Sequence, residues 1–194
     1  PTQDVKHVVE DILKLRFDVM IHEDFGFYSY AEHYVLGDVF VLASPDKEKG
    51  TLLELKGKGC RQMESYLLAQ HRSWYDFLMD ALIEGGVMKR LDLAINDMTG
   101  ILDIPELTEK CNHEECISVF RSFKSYRSGE LVRSQEQDKY GMGNTLYIGS
   151  LKSEIYFCIY EKDYEQYVKY DIPIEDTKIK NRFEIRLKNE RAYY

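Results

Sequence analysis

Four separated stretches of this chain alternate apolar and polar residues with a period of two: 51–56 (TLLELK), 90–96 (RLDLAIN), 154–160 (EIYFCIY) and 182–188 (RFEIRLK). In a β-strand successive side chains point to opposite faces, so each stretch has one greasy side and one wet side. Leu53 and Leu55, Leu91, Leu93 and Ile95, Ile155, Phe157 and Ile159, and Phe183, Ile185 and Leu187 fit a single core. The other sides carry Glu54, Asp92, Tyr160 and Glu184. The expectation is that the four strands share one sheet, which brings three carboxylates and a phenol to one surface.

The segments between them supply the rest of a mixed fold. Thr2 caps a first helix with Val5, Val8, Val9, Ile12 and Leu13 at helical spacing. Residues 33–36 and 39–42 are β-type runs joined by Gly37-Asp38, a two-residue hairpin signal, and 44–50 (SPDKEKG) is a charged turn. Met63, Leu67, Trp74, Phe77, Leu78, Ala81 and Leu82 form one stripe, predicting a single long helix over 60–84 that crosses between two strands of the sheet. Residues 105–111 read as a short helix, 134–144 as a loop or hairpin tip, 145–149 as a further strand, and 161–169 as a helix. The pattern is α+β: an antiparallel sheet with helices on one face, in a single domain of 1–194 with no internal boundary.

With 194 residues there is enough chain for a substantial core, and no apolar run is long enough to span a bilayer. The first residue is Pro rather than Met, which predicts a piece of a longer protein. A net charge of -8 argues against binding DNA by overall charge, because phosphate contacts need Lys and Arg. The local exception is 121–133 (RSFKSYRSGELVR), where Arg121, Lys124, Arg127 and Arg133 alternate with Phe123 and Tyr126. Cations beside stacking rings suit single-stranded nucleic acid; a solvated strand or hairpin gives the same pattern. Four cysteines without a framework of regular spacings fit a reducing cytoplasm. Cys111-Asn-His113-Glu-Glu-Cys116 lacks the second ligand pair of a structural zinc site and reads as a helix segment.

Carboxylates are hard oxygen ligands, so a face with Glu54, Asp92 and Glu184 favours Mg²⁺ or Mn²⁺ over zinc. Such an ion polarises a phosphodiester. Tyr160 beside it is a candidate nucleophile, with Lys162 nearby to favour the ionised phenol. Each residue also has a plain structural role open to it. Asp92 can be a solvated surface residue, Glu184 can pair with Arg182 or Arg186, and Tyr160 can begin a packed stripe with Tyr164 and Tyr167.

The stretches 90–94 (RLDLA), 143–149 (GNTLYIG), 159–162 (IYEK) and 183–188 (FEIRLK) occur in that order. Together they resemble the replication-initiation-factor family, which contains rolling-circle initiators of plasmids and relaxases of conjugative transposons. The similarity runs from about Leu52 to Lys188 and is nearest to the conjugative-transposon relaxases. The resemblance implies a five-stranded antiparallel sheet of the rolling-circle initiator kind. It also implies site- and strand-specific nicking of a transfer or replication origin, with a 5′-phosphotyrosyl link, a free 3′-OH and later religation. Tyr160 matches the family's nucleophile, Lys162 its following lysine, and Glu54, Asp92 and Glu184 its acidic metal residues, holding Mg²⁺ or Mn²⁺. DNA contacts are expected from Arg90, Lys124, Arg127, Arg121, Arg133 and Arg186. Origin DNA, a helicase and accessory transfer proteins are the partners implied, with an N-terminal helix-turn-helix domain ahead of this piece and a cytoplasmic location. No His-x-His pair occurs among His7, His22, His33, His71 and His113, so the metal is expected on carboxylates alone.

Two rival readings belong to other classes. Pro45-Asp46 followed by Glu54-Leu-Lys56 matches the Pro-Asp…Glu-x-Lys pattern of hydrolytic Mg²⁺-dependent nucleases, with Asp46 and Glu54 on the ion and Lys56 activating water. A non-catalytic origin-binding domain is the second. A hydrolase leaves free ends, and a binding domain never cuts.

Overall fold

The structure, a computed structural model, describes residues 2–129 and 141–193. Arg133 and most of 134–144 lie outside the described residues. The chain divides into two compact units, Pro1–Val87 and Met88–Tyr194. No composition shift or linker marks this boundary in the sequence.

In the first unit, strands β1 (Ile21–Glu23), β2 (Glu32–Leu36), β3 (Val39–Ala43) and β4 (Leu52–Leu55) form an antiparallel sheet in the order β1-β2-β3-β4. The β2–β3 hairpin turns on Gly37-Asp38 as its sequence predicts. Gly37 has φ 60, a conformation that suits a residue without a Cβ. A Cβ there would also stand 2.5 Å from the Gln62 side chain. That side chain donates to the Leu36 carbonyl at 2.9 Å and accepts from Asp38 N–H at 2.8 Å, fastening a helix to the turn. α1 (Thr2–His7) runs on into a π-type turn, Val8–Ile12. Val5, Val9, Leu13, Val39, Val41, Met63 and Leu67 make the core beneath it.

The long helix expected over 60–84 is two helices, α2 (Gly57–Ala69) and α3 (Trp74–Ile83). His71 takes a left-handed φ of 55, and Ser73 starts α3 with a capping box: Asp76 N–H donates to Ser73 Oγ while Ser73 N–H donates to the Asp76 carboxylate. An apolar stripe continues across such a break, so periodicity alone does not reveal it. The crossover expectation is corrected too. α2 packs on β3 and β4, and β4 pairs with β3 inside the first unit.

The second unit holds β5 (Arg90–Asp97), β6 (Phe123–Gly129), β7 (Gly141–Ile148), β8 (Ile155–Glu161) and β9 (Asn181–Lys188). They form a five-stranded sheet in the order β5-β9-β8-β7-β6, every pairing antiparallel. The five-stranded antiparallel sheet is therefore present. Three of the four alternating stretches share it; the one carrying Glu54 does not. α4 (Ile104–Asn112) covers the apolar face, where Ile104, Leu146 and Ile159 are buried against Leu107, Ile148 and Phe183. α5 (Lys162–Tyr170) leaves the end of β8, and α6 (Glu190–Tyr193) follows β9. No helix among the described residues is long and apolar enough to cross a membrane.

Asp97 locks the far end of β5. Its carboxylate accepts from the N–H groups of Thr99, Gly100 and Leu102 and from Asn181 Nδ2, at 2.9 to 3.0 Å. Burial works against its ionisation, but these bonds outweigh that and hold the carboxyl below its usual range. Asp97→Ala is expected to cost about 2 kcal/mol by orphaning these donors. Urea unfolding followed by circular dichroism measures this, and an unchanged midpoint would contradict it. The same carboxylate makes stability fall as pH drops: its folded pKa is depressed, so its contribution is present above the ordinary carboxylate pKa and is lost on acidification.

Candidate active site on the polar face of the second sheet

Directly paired residues of an antiparallel sheet lie on one face, so the register itself places the side chains. Asp92 pairs with Arg186, which pairs with Tyr156; Glu184 pairs with Cys158, which pairs with Tyr147; Arg182 pairs with Tyr160, which pairs with Thr145. All of these stand on the face opposite Ile159 and Leu146. Lys124 and Tyr126 extend the row on the edge strand β6.

Contacts tie this face together. Tyr160 Oη donates to Glu184 Oε1 at 2.9 Å. Arg186 holds the other oxygen, Glu184 Oε2, with Nε at 3.0 Å and Nη2 at 2.8 Å. Its Nε also lies 3.8 Å from Asp92 Oδ2. Arg90 grips Asp92 in a fork, Nε to Oδ1 at 2.9 Å and Nη2 to Oδ2 at 2.6 Å. The chain Arg90–Asp92–Arg186–Glu184–Tyr160 therefore alternates in charge across three strands and ends on a phenol. Glu184 is nearly buried at 8% exposure, so its charge needs these partners.

α5 closes one side of the face. Gly143 has φ 88, and a Cβ there would meet Tyr164 Cβ at 2.8 Å, so the helix rests directly on β7. Lys162, at its first turn and buried, pairs with Glu165 and lies over the Tyr160 ring, Nζ 5.5 Å from the centroid. Glu165 also pairs with Lys169. Burial opposes the Glu165 charge, but the two lysines outweigh it and hold the carboxyl below its usual range. An open cleft of about 350 Å³ remains, lined by Thr145, Tyr147, Cys158, Tyr160, Glu165 and Arg186 among others.

The electrostatics make Tyr160 a poor spontaneous phenolate. Burial first, and then the negative charges of Glu184 and Glu165, push its pKa far above the ordinary phenol value. Arg186 behaves oppositely. Burial works against its charge, yet its contacts with Tyr156 and Glu184 raise its pKa above the usual guanidinium value.

Asp92, Glu184, Tyr160 and Lys162 are thus brought together, with Arg90 and Arg186 committed to the carboxylates. Glu54 is not in this sheet. It sits on β4 of the first unit, accepts from Tyr28 Oη at 2.9 Å and pairs with Lys56 at 3.2 Å. Asp46 of the Asp46, Glu54, Lys56 reading caps its own turn, accepting from Glu48 N–H at 3.0 Å. The basic stretch splits: Lys124 and Tyr126 are on the Tyr160 face, whereas Arg127, opposite Asn144, and Phe123, opposite Ile148, are on the other. Arg121 lies in the exposed bend before β6. Glu165 was not singled out from sequence, though its place three residues after Lys162 on a helix is a recognisable ion-pair spacing.

Among the described residues, no three His, Cys, Asp or Glu side chains are grouped to hold a metal ion. The donor chemistry of the face still fits a hard divalent cation. Two carboxylates and a phenolic oxygen share one surface, and Mg²⁺ commonly takes one or two protein carboxylates, keeping water or substrate oxygens elsewhere.

The sequence matches two family profiles. The replication initiation factor profile covers residues 86–194, and the N-terminal domain of rolling circle replication initiation proteins covers 1–80. Residues 81–85 separate the two matches, just ahead of the point in sequence where the first unit ends at Val87. The chain is 46% identical over 192 residues to a Bacillus subtilis (strain 168) protein named "Putative DNA relaxase NicK", covering 98% of this chain and 53% of that one. The chain thus spans about half the length of this relative. Among solved structures, the rolling circle replication initiator protein from Geobacillus stearothermophilus is similar, with a TM-score of 0.73 and 28% identity, over 95% of this chain and 66% of that one.

Proposed function

The chain belongs to the replication initiation factor family, and on that membership and its polar face we propose that it nicks one strand of origin DNA through Tyr160. The observation that carries the proposal is the 2.9 Å hydrogen bond from the Tyr160 hydroxyl to Glu184, on a face that also holds Asp92.

The reaction is a transesterification. The Tyr160 oxygen forms a bond to phosphorus, and the bond from phosphorus to the 3′ oxygen breaks. The 5′ phosphate stays on the tyrosine, and the released 3′ oxygen takes up a proton to become a hydroxyl. The phenol proton has a place to go, because Glu184 already accepts it in a hydrogen bond. Transfer during attack avoids a free buried phenolate, which the raised Tyr160 pKa makes costly. Lys162, over the ring, offsets negative charge as it grows on the phenol. Glu165 is a positioning residue that holds Lys162 there. Asp92 and Glu184 would hold a Mg²⁺ or Mn²⁺ ion, which supplies Lewis-acid polarisation of the scissile phosphate. Religation is the same step reversed, with the 3′-OH attacking the phosphotyrosine. Duplex origin DNA and its nicked strand are the substrates. Lys124 and Tyr126, at the sheet edge on this face, suit backbone and base contacts with that strand. A helicase and transfer proteins remain the proposed partners, and the cytoplasm the proposed location.

The test is incubation with supercoiled plasmid carrying the element's own origin and Mn²⁺ or Mg²⁺. The expected product is an open circle whose 5′ end migrates with protein on a denaturing gel and whose trapped peptide contains Tyr160. Free 5′ ends would point to hydrolysis, and tight binding without cutting to a non-catalytic domain. Asp92→Ala is expected to weaken Mn²⁺ binding about tenfold or more while DNA affinity changes less, measured by calorimetry and by gel shift. Glu165→Gln is expected to lower the nicking rate about tenfold with little change in DNA affinity, because it frees Lys162; losing the Glu165 charge also eases Tyr160 ionisation, which offsets only part of the loss. Equal losses in rate and affinity would assign Glu165 to DNA binding instead.

A further inference from the structure

The turn after α4 carries chemistry unrelated to the phenol. The helix ends at Asn112, and Glu114 takes a left-handed backbone with φ 61. Glu115 N–H then bonds the Lys110 carbonyl at 2.9 Å, and the chain doubles back on the helix end. Cys116 Sγ comes to lie 3.4 Å from Cys111 Sγ. Sulfurs five residues apart in sequence are thereby held in contact before any bond joins them.

The two thiols are not equivalent. Cys111 is half-buried and packs against the core under α4. Burial first, then its bond to Cys116, pushes its pKa up to about 11. Cys116 is exposed, and its sulfur accepts the Cys111 S–H. An incoming disulfide can therefore reach Cys116 first, while Cys111 stands behind it against the core. The remaining two cysteines are placed differently. Cys60 donates to the Leu55 carbonyl at 3.4 Å. Cys158 is 1% exposed, and burial pushes its pKa up to about 11. No third ligand joins the pair among the described residues, so this is a dithiol and not a metal cluster.

We propose that Cys111 and Cys116 form a thiol–disulfide pair, a modification site for small-molecule disulfides in which Cys116 attacks and Cys111 resolves. The Cys116 thiolate attacks one sulfur of the disulfide, forming a mixed disulfide and releasing one small thiol. Cys111 then gives up its proton and attacks Cys116 Sγ, releasing the second small thiol. The protein loses two hydrogens and two electrons, and the incoming disulfide gains both. The closed ring ties the end of α4 to the segment that leads into the edge strand β6. Between the ring and Phe120, which packs edge-on against Phe157, Ile117 and Val119 are 104% and 94% exposed.

The test is exposure of the intact chain to oxidised glutathione, followed by peptide mass spectrometry. The wild type is expected to become lighter by two hydrogens, with Cys111 linked to Cys116, about tenfold faster than glutathione appears on Cys60 or Cys158. Cys111→Ser should instead stop at a stable glutathione adduct on Cys116, and Cys116→Ser should leave Cys111 largely unreacted. Cys116 is exposed, so its variant tests the pair even if Cys111→Ser weakens the core. A wild-type adduct on Cys116 that never closes, or reaction at Cys60 or Cys158 as fast as at the pair, would overturn the proposal.

Discussion

Tyr160→Phe is expected to abolish nicking and the covalent adduct, a loss of at least about a thousandfold, while origin binding stays within about twofold. The substitution removes one oxygen. It leaves the ring under Lys162 and the packing of α5 on β7 in place. It also removes the donor to Glu184 Oε1, whose other oxygen remains held by Arg186, so the carboxylate is not stranded. A folded variant that binds and does not cut is therefore the expected phenotype. Full activity would transfer the role to another tyrosine on this part of the fold, of which Tyr147, Tyr156 and Tyr164 are the candidates.

Glu184→Ala should be nearly as damaging, and its pH profile separates its two roles. On the proposed mechanism the wild-type phenol proton passes to a carboxylate already in contact with it, so the rate should vary little near neutral pH. Without Glu184, only the small population of free phenolate can react. Because burial holds the Tyr160 pKa above its usual value, that population grows about tenfold per pH unit across the neutral and mildly alkaline range. Removing the neighbouring negative charge lowers the Tyr160 pKa somewhat, which softens the loss but leaves the slope. Residual nicking by the variant should thus climb with pH while the wild-type profile stays flat. Parallel profiles would show that Glu184 acts by holding a cation or the fold and not by taking the proton.

Much of this face was legible because strand alternation is a local signal with a strict period. Asp92, Glu184 and Tyr160 were placed on the wet sides of their strands by counting residues, and the register brings those sides together. Alternation is silent, however, about which strands pair. The stretch bearing Glu54 has the same pattern as the other three, but its partner is the neighbouring strand β3, reached through the charged turn over 44–50. That turn was itself readable, and it was the clue that β4 had a nearer partner than the distant strands. The basic stretch failed for a related reason. Lys124 and Arg127 are three apart, an odd number, so one strand cannot show both on a single face. The break between α2 and α3 was marked by Ser73 and Asp76, a capping signal inside a continuous apolar stripe.

The arginine forks on Asp92 and Glu184 carry one more implication. Guanidinium groups occupy the oxygens that a divalent ion would use, and they are also the groups best shaped for a DNA phosphate. Anything that draws Arg90 or Arg186 towards a phosphate frees ligand oxygens for the ion, and an ion that settles there releases those arginines to the nucleic acid. On the proposed reading each ligand's affinity must then depend on the other's by the same factor, so the apparent demand of nicking for Mn²⁺ or Mg²⁺ should relax as the concentration of the target strand rises.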